Sequence, residues 1–227
     1  MLKVLRPALS RLLTPAGHAL ARMGVTPNVI TVVGTIGVVG GALAIYPRGE
    51  LFWGTVLITV FVLFDMLDGA VARVTGGGTT WGAFLDSTLD RVADAAIFAG
   101  LILWLAGKGD DLPLAVLALY CLISGALVSY AKARAEGLGL TCDVGIAERG
   151  ERILVVLVAI GLDGLGVPYA LVVGLWLLAA ASTVTVVQRV AVVRRQAVSK
   201  AVSGGAAEDA GRPDPAAGAE GAENRSW

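Results

Sequence analysis

Asp65, Asp68, Asp86 and Asp90 lie in the stretch DMLDGAVARVTGGGTTWGAFLDSTLD, residues 65–90. Two of the most apolar runs of the sequence flank it, LFWGTVLITVFVLF before and AAIFAGLILWLAG after. A carboxylate at membrane depth costs about 2.5–3.5 kcal/mol on insertion scales. Four of them need a compensating partner, and the two flanking apolar runs offer no cation. Asp65 and Asp68 are three apart and share a helix face; Asp86 and Asp90 are four apart and share another. A short Gly/Thr-rich loop from Thr75 to Thr80 joins the two helices. Antiparallel neighbours so connected bring all four acids to one small volume. Oxygen-only ligation suits Mg²⁺ or Mn²⁺, and the lack of a His/Cys cluster argues against zinc. Two ions bridged by shared carboxylates are the arrangement that clamps a phosphoryl group during displacement. Gly69 leaves room for a ligand beside the helix backbone, and Arg73 suits a phosphate.

The elements that position these acids are apolar helices. The chain has 227 residues, 56% hydrophobic and 16% charged, with a mean hydropathy of +0.76. Soluble domains run nearer 25% charged. Six apolar segments, 28–47, 52–73, 82–106, 112–134, 150–166 and 168–193, reach or approach the roughly 20 residues that span a bilayer. The fifth is the shortest and is interrupted by Asp163 and glycines. The expected fold is therefore all-α: an integral membrane bundle of six transmembrane helices.

Charge orients this bundle. Lys3, Arg6, Arg11 and Arg22 precede the first segment, Arg73 closes the second, and Lys132, Arg134, Arg149 and Arg152 fall between the fourth and fifth. Arg189, Arg194, Arg195 and Lys200 close the sixth. The positive-inside rule then puts the acids and both termini in the cytoplasm of a multi-pass cell-membrane protein. Residues 1–24 read as an amphipathic helix on the inner membrane surface, 25–198 as the catalytic domain, and 199–227 as a disordered cytoplasmic tail. Cys121 and Cys142 form no metal or disulfide pattern, and His18 has no second ligand nearby. Gly37 and Gly41 form a G-x-x-x-G that serves either a contact within the subunit or a dimer face. A homodimer is expected; a nucleic-acid partner is not.

The acidic segment resembles the CDP-alcohol phosphotransferase signature D-x2-D-G-x2-A-R-x8-G-x3-D-x3-D, with Asp65, Asp68, Gly69, Ala72, Arg73, Gly82, Asp86 and Asp90 at its fixed positions. The resemblance extends over the membrane portion but not the tail. It implies that Asp65, Asp68, Asp86 and Asp90 hold two Mg²⁺ ions (or Mn²⁺), and that Asp90 also acts as the base. It implies that Gly69, Arg73 and Thr79 contact the CDP group, and that Asn28, Val29, Ile30 and Thr31 contact CDP-diacylglycerol. The implied reaction is attack of an alcohol on the lipid-side phosphate, with release of CMP. Asp94, one turn beyond Asp90, reads first as structural.

The second basic cluster, with Lys132, Arg134, Arg149 and Arg152, suits an acceptor that already carries a phosphate. The pieces Y-x-K-A-R-A-E and A-E-R-x-E-R resemble actinobacterial members of the family that make phosphatidylinositol phosphate. That likeness implies that Lys132, Arg152 and a basic residue of the last span bind the phosphate of 1D-myo-inositol 3-phosphate (inositol 1-phosphate in the other numbering). Arg189 is the first choice for the last, with Arg194 and Arg195 as alternatives. Glycerol 3-phosphate, making the chain a phosphatidylglycerophosphate synthase, is the alternative within the same chemistry. An ion- or proton-coupled transporter is the alternative of another class.

Overall fold

The computed structural model describes residues 15–210, with side chains to 200. Every regular element among them is helical. In apolar surroundings a spanning segment must satisfy its backbone polar groups internally, and a helix does so within one segment. Helix α1 occupies 15–22 in the described part, followed by α2 (Pro27–Ile45), a 3₁₀ turn (Tyr46–Arg48), α3 (Leu51–Asp65) and α4 (Leu67–Val74). Then come α5 (Thr80–Ala106), α6 (Leu112–Gly137), α7 (Arg149–Gly164) and α8 (Ala170–Ala210).

The helices close into a ring. α2 packs on α3 and α5, α5 on α6, α6 on α8, α8 on α7, and α7 back on α3. Leu101, Ile58, Ile160, Leu175 and Tyr46 are among the residues buried at its centre. Tyr46 Oη shares a hydrogen bond of 2.9 Å with Thr55 Oγ1, so its buried hydroxyl is satisfied. Ile36, Trp53, Trp176 and Val187 face outward, each more than half exposed. Helices apolar on both faces belong in lipid, and the chain is a multi-pass membrane protein.

Among the described residues, four segments are long and apolar enough to cross a membrane: Pro27–Arg48, Leu51–Val74, Leu112–Gly137 and Ala170–Lys200. Two of the six expected spans fall outside this set for physical reasons. α5 carries Asp86, Asp90, Arg91 and Asp94 among its 27 residues, and α7 has only 16 residues.

Three further expectations are corrected or settled. The second segment is not one regular helix: Met66, at φ −59°, ψ −12°, separates α3 from α4. That tighter, 3₁₀-like step puts Asp65 at the end of one helix and Asp68 in the first turn of the next. Residues 199–210, expected to be disordered, continue α8 to Ala210; alanine, common there, is the best helix former. The remaining tail, 211–227, and residues 1–14 of the proposed surface helix lie outside the described residues. Finally, the Gly37/Gly41 stripe is used inside the subunit. A Cβ at Gly37 would collide with the Phe61 ring, and one at Gly41 would stand 3.2 Å from Ile58 Cγ1. Glycine there lets α2 and α3 approach closely.

Candidate active site

Asp65, Asp86 and Asp90 each direct a carboxylate oxygen into one spot, the three atoms lying within 4.8 Å of one another. Asp65 arrives from the end of α3, while Asp86 and Asp90 project from one face of α5, a turn apart. Gly34 of α2 makes room for this: a Cβ there would sit 3.1 Å from Asp65 Cβ and 3.2 Å from its Oδ1. Asp65 Oδ1 is buried with no hydrogen-bond partner. A carboxylate oxygen so placed, beside two more carboxylates, fits a hard divalent cation and little else.

Asp68 stands beside this trio rather than in it. Its Oδ2 accepts a hydrogen bond of 2.9 Å from Thr31 Oγ1, and its Oδ1 accepts from the Gly69 amide. Thr31, expected to touch lipid, is therefore buried against an acid and orients it. The Met66 step explains the separation, because it turns Asp68 toward α2.

A cavity of about 460 Å³ opens beside Asp68 and Asp86. It lies between the start of α2, helix α4 and the 75–79 turn, and Asn28, Thr31, Gly69 and Thr79 line it. Thr79 is the N-cap of α5, its Oγ1 accepting from the Gly82 amide at 2.9 Å. Gly76 and Gly77, at φ +101° and +104°, let the turn adopt a conformation that other residues rarely take. Arg73 is exposed and folds along α4, its Nη1 3.6 Å from where a Gly69 Cβ would be. Two of the expected lipid contacts differ. Val29 faces outward at 51% exposure, whereas Ile30 is 1% exposed and belongs to the core.

On the far side of the acids lies a second cavity, of about 500 Å³, between α5, α6, α7, α8 and the 138–148 loop. Lys132, Arg152 and Arg189 all line it, although they come from three different helices. Arg194 and Arg195, the alternatives, border a separate depression further along α8. Arg189 is held by the Val144 carbonyl, at 2.9 Å from Nε, and by the Val128 carbonyl. Arg152 donates to the Ala147 carbonyl at 3.2 Å and to Asp94 Oδ2 at 3.4 Å. Lys132 pairs with Asp143 at 2.6 Å and Glu136 at 3.8 Å. The loop is pinned to α8: Thr185 Oγ1 accepts from the amides of Ile146 and Ala147, and Gln196 bonds Thr141.

Two lining residues were not singled out as site residues by sequence. Arg149 reaches Asp90 Oδ1 at 2.7 Å and donates to Asp94 Oδ1 at 3.0 Å. Arg91 stands 3.7 Å from Asp90 Oδ2. Asp94, read first as structural, anchors two arginines, one on each oxygen. The only sequence signal for Arg149 was its place in a basic cluster; its partners lie 55 or more positions away.

The geometry has close counterparts among known proteins. The family model for CDP-alcohol phosphatidyltransferase matches residues 24–187. A phosphatidylinositol phosphate synthase of Streptomyces avermitilis is 49% identical over 222 residues, covering 95% of this chain and 91% of its own. That of Mycobacterium tuberculosis H37Rv is 49% identical over 187 residues, 81% of this chain and 86% of its own. A crystal structure of the M. tuberculosis synthase with CDP-DAG bound superposes with a TM-score of 0.77, covering 81% of this chain and 94% of that one. Another, in complex with manganese and citrate, has a TM-score of 0.76 and covers 80% and 88%; both are 49% identical to this chain.

Proposed function

The chain is an enzyme of the CDP-alcohol phosphatidyltransferase family, and from that premise we propose that it makes phosphatidylinositol phosphate. It transfers the phosphatidyl group of CDP-diacylglycerol to a hydroxyl of 1D-myo-inositol 3-phosphate and releases CMP. One observation carries the reading: the converging acids stand between a glycine-lined cavity and a cavity lined by Lys132, Arg152 and Arg189. A donor nucleotide has a place beside Asp68 and Asp86, and a phosphorylated acceptor one beside Arg91 and Arg149, which contact Asp90.

In this reading Asn28, Gly69, Arg73 and Thr79 hold the CDP group while Val29 meets the lipid. Lys132, Arg152 and Arg189 hold the acceptor phosphate as charge-assisted partners. Asp90 takes the proton of the attacking hydroxyl. The hydroxyl oxygen bonds to the lipid-side phosphorus as its bond to CMP breaks. Asp65, Asp86 and Asp90, with Asp68 beside them, would hold divalent cations, Mg²⁺ or Mn²⁺, which supply charge neutralisation at the pyrophosphate. The bound CDP-DAG and manganese of the M. tuberculosis relative support both assignments.

The same proposal extends to topology. Helices α5 and α7 complete six spans, the N-terminal segment lies on the inner surface of the plasma membrane, and the site opens to the cytoplasm. Its catalytic unit is 25–198. Two chains pair through a face other than the Gly37/Gly41 stripe, which α3 fills.

The test is CMP release by purified enzyme given CDP-diacylglycerol, Mg²⁺ and, separately, inositol phosphate, glycerol 3-phosphate, inositol or serine. Turnover with inositol phosphate is expected. Turnover with glycerol 3-phosphate alone would refute the acceptor, and no CMP with any acceptor would refute the reaction.

A further inference from the structure

Arg149 is the residue that touches both halves of the site. It lines the basic cavity, yet its Nη1 occupies Asp90 Oδ1 at 2.7 Å and its Nε is held by Asp94 Oδ1 at 3.0 Å. Arg152, on the same face one turn along, takes the other oxygen of Asp94. Asp94 is thus a fixed, buried anchor, and the arginine on it spans from the acceptor cavity to the proton-accepting acid. A guanidinium has five N–H donors in a rigid fork, and these two carboxylates engage two of its nitrogens. The rest of the fork is available to an anion in the cavity.

We propose that Arg149 is a positioning residue that couples acceptor occupancy to Asp90. In the structure it covers Asp90 Oδ1, so a water molecule cannot use that oxygen. An acceptor phosphate beside Lys132 and Arg189 offers the guanidinium a stronger, bidentate partner. Arg149 turns toward it about the Asp94 contact, and Asp90 Oδ1 is exposed to the acceptor hydroxyl. Substrate arrival and release of the base are then one event. The device suppresses a wasteful reaction: attack of water on the lipid-side phosphorus, with its proton passing to Asp90, would yield phosphatidic acid and CMP. This inference rests on the proposed reaction, and the experiment separates the two.

CMP release from CDP-diacylglycerol is measured with and without inositol phosphate for the wild type, Arg149→Gln and Arg149→Lys. Thermal shifts on adding inositol phosphate to the metal-free proteins are recorded alongside. Arg149→Gln is expected to raise acceptor-free CMP release several-fold, and to raise KM for inositol phosphate by about tenfold, the scale of one charge-assisted hydrogen bond. It should also shrink the thermal shift. Arg149→Lys, a point charge that cannot bridge two partners, should leak as well and guards against a misfolded Gln variant. Acceptor-free release at the wild-type level in either folded variant overturns the coupling alone. A wild type that releases no CMP with any phosphorylated acceptor overturns the reaction and the coupling with it.

Discussion

Asp94→Ala removes a carboxylate that holds two arginines of the basic cavity without itself lining it. The Asp94 side chain is 11% exposed and that of its partner Arg152 only 4%, so the pair is shielded from solvent on both sides. Deleting one member of a buried pair leaves the other charge uncompensated, at about 3–5 kcal/mol. Two contacts soften the loss: Arg152 keeps the Ala147 carbonyl, and Arg149 keeps Asp90. The lower end, about 3 kcal/mol, is therefore expected, a fall in Tm of about 6–12 °C for a chain of this size. The five tryptophans make fluorescence melting in detergent micelles a direct assay. The double variant Asp94→Leu/Arg152→Met replaces the ion pair with apolar bulk. It should recover most of the Tm, since such replacements are often neutral, while turnover with the phosphorylated acceptor stays low. A Tm for Asp94→Ala within about 2 °C of wild type would refute the reasoning, and would mean that Asp94 does not carry the arginine anchors.

Thr31→Val keeps the shape of α2 but removes the donor to Asp68 Oδ2. Mn²⁺ affinity, measured by electron paramagnetic resonance, should fall about tenfold, as for other groups that orient metal ligands; unchanged affinity would place Asp68 outside the metal site. Asp90→Asn should lower kcat by about 10²–10⁴-fold while CDP-diacylglycerol still binds; near-normal turnover would remove Asp90 as the base. Gly37→Leu drives a side chain into Phe61 and should lower Tm. An unaltered melt, combined with lost self-association in cross-linking, would return the stripe to a dimer face.

Much of this arrangement was legible in the sequence because it follows from local patterns. Apart from the end of α8, the apolar runs mark the helix bounds to within a few residues, since apolar length decides what can cross a bilayer. The spacing of Asp86 and Asp90 survives intact on α5, a continuous helix. The spacing of Asp65 and Asp68 does not, because no proline or glycine marks the break at Met66. Lys132, Arg152 and Arg189, grouped through the family likeness, come from separate helices and line one cavity. The network joining Arg149 to Asp90 and Asp94 was invisible, as it depends on how α7 sits against α5. Gly34 was equally silent: its value lies in the absence of a side chain opposite Asp65.

The closed ring of helices has a corollary for how such a protein can change. The cavity beside Asp68 and Asp86 is lined entirely by residues before position 90, and the basic cavity entirely by residues after it. The chain is thus divided in sequence as its site is divided in space, with α5 as the seam. Under the proposed reaction, substitutions along α6, α7 and α8 remodel acceptor choice while the nucleotide side and the acids keep their shape. A lineage could diversify its lipid headgroups by editing one half of a single gene, and a chimera joined within α5 would carry one parent's donor half and the other's acceptor half.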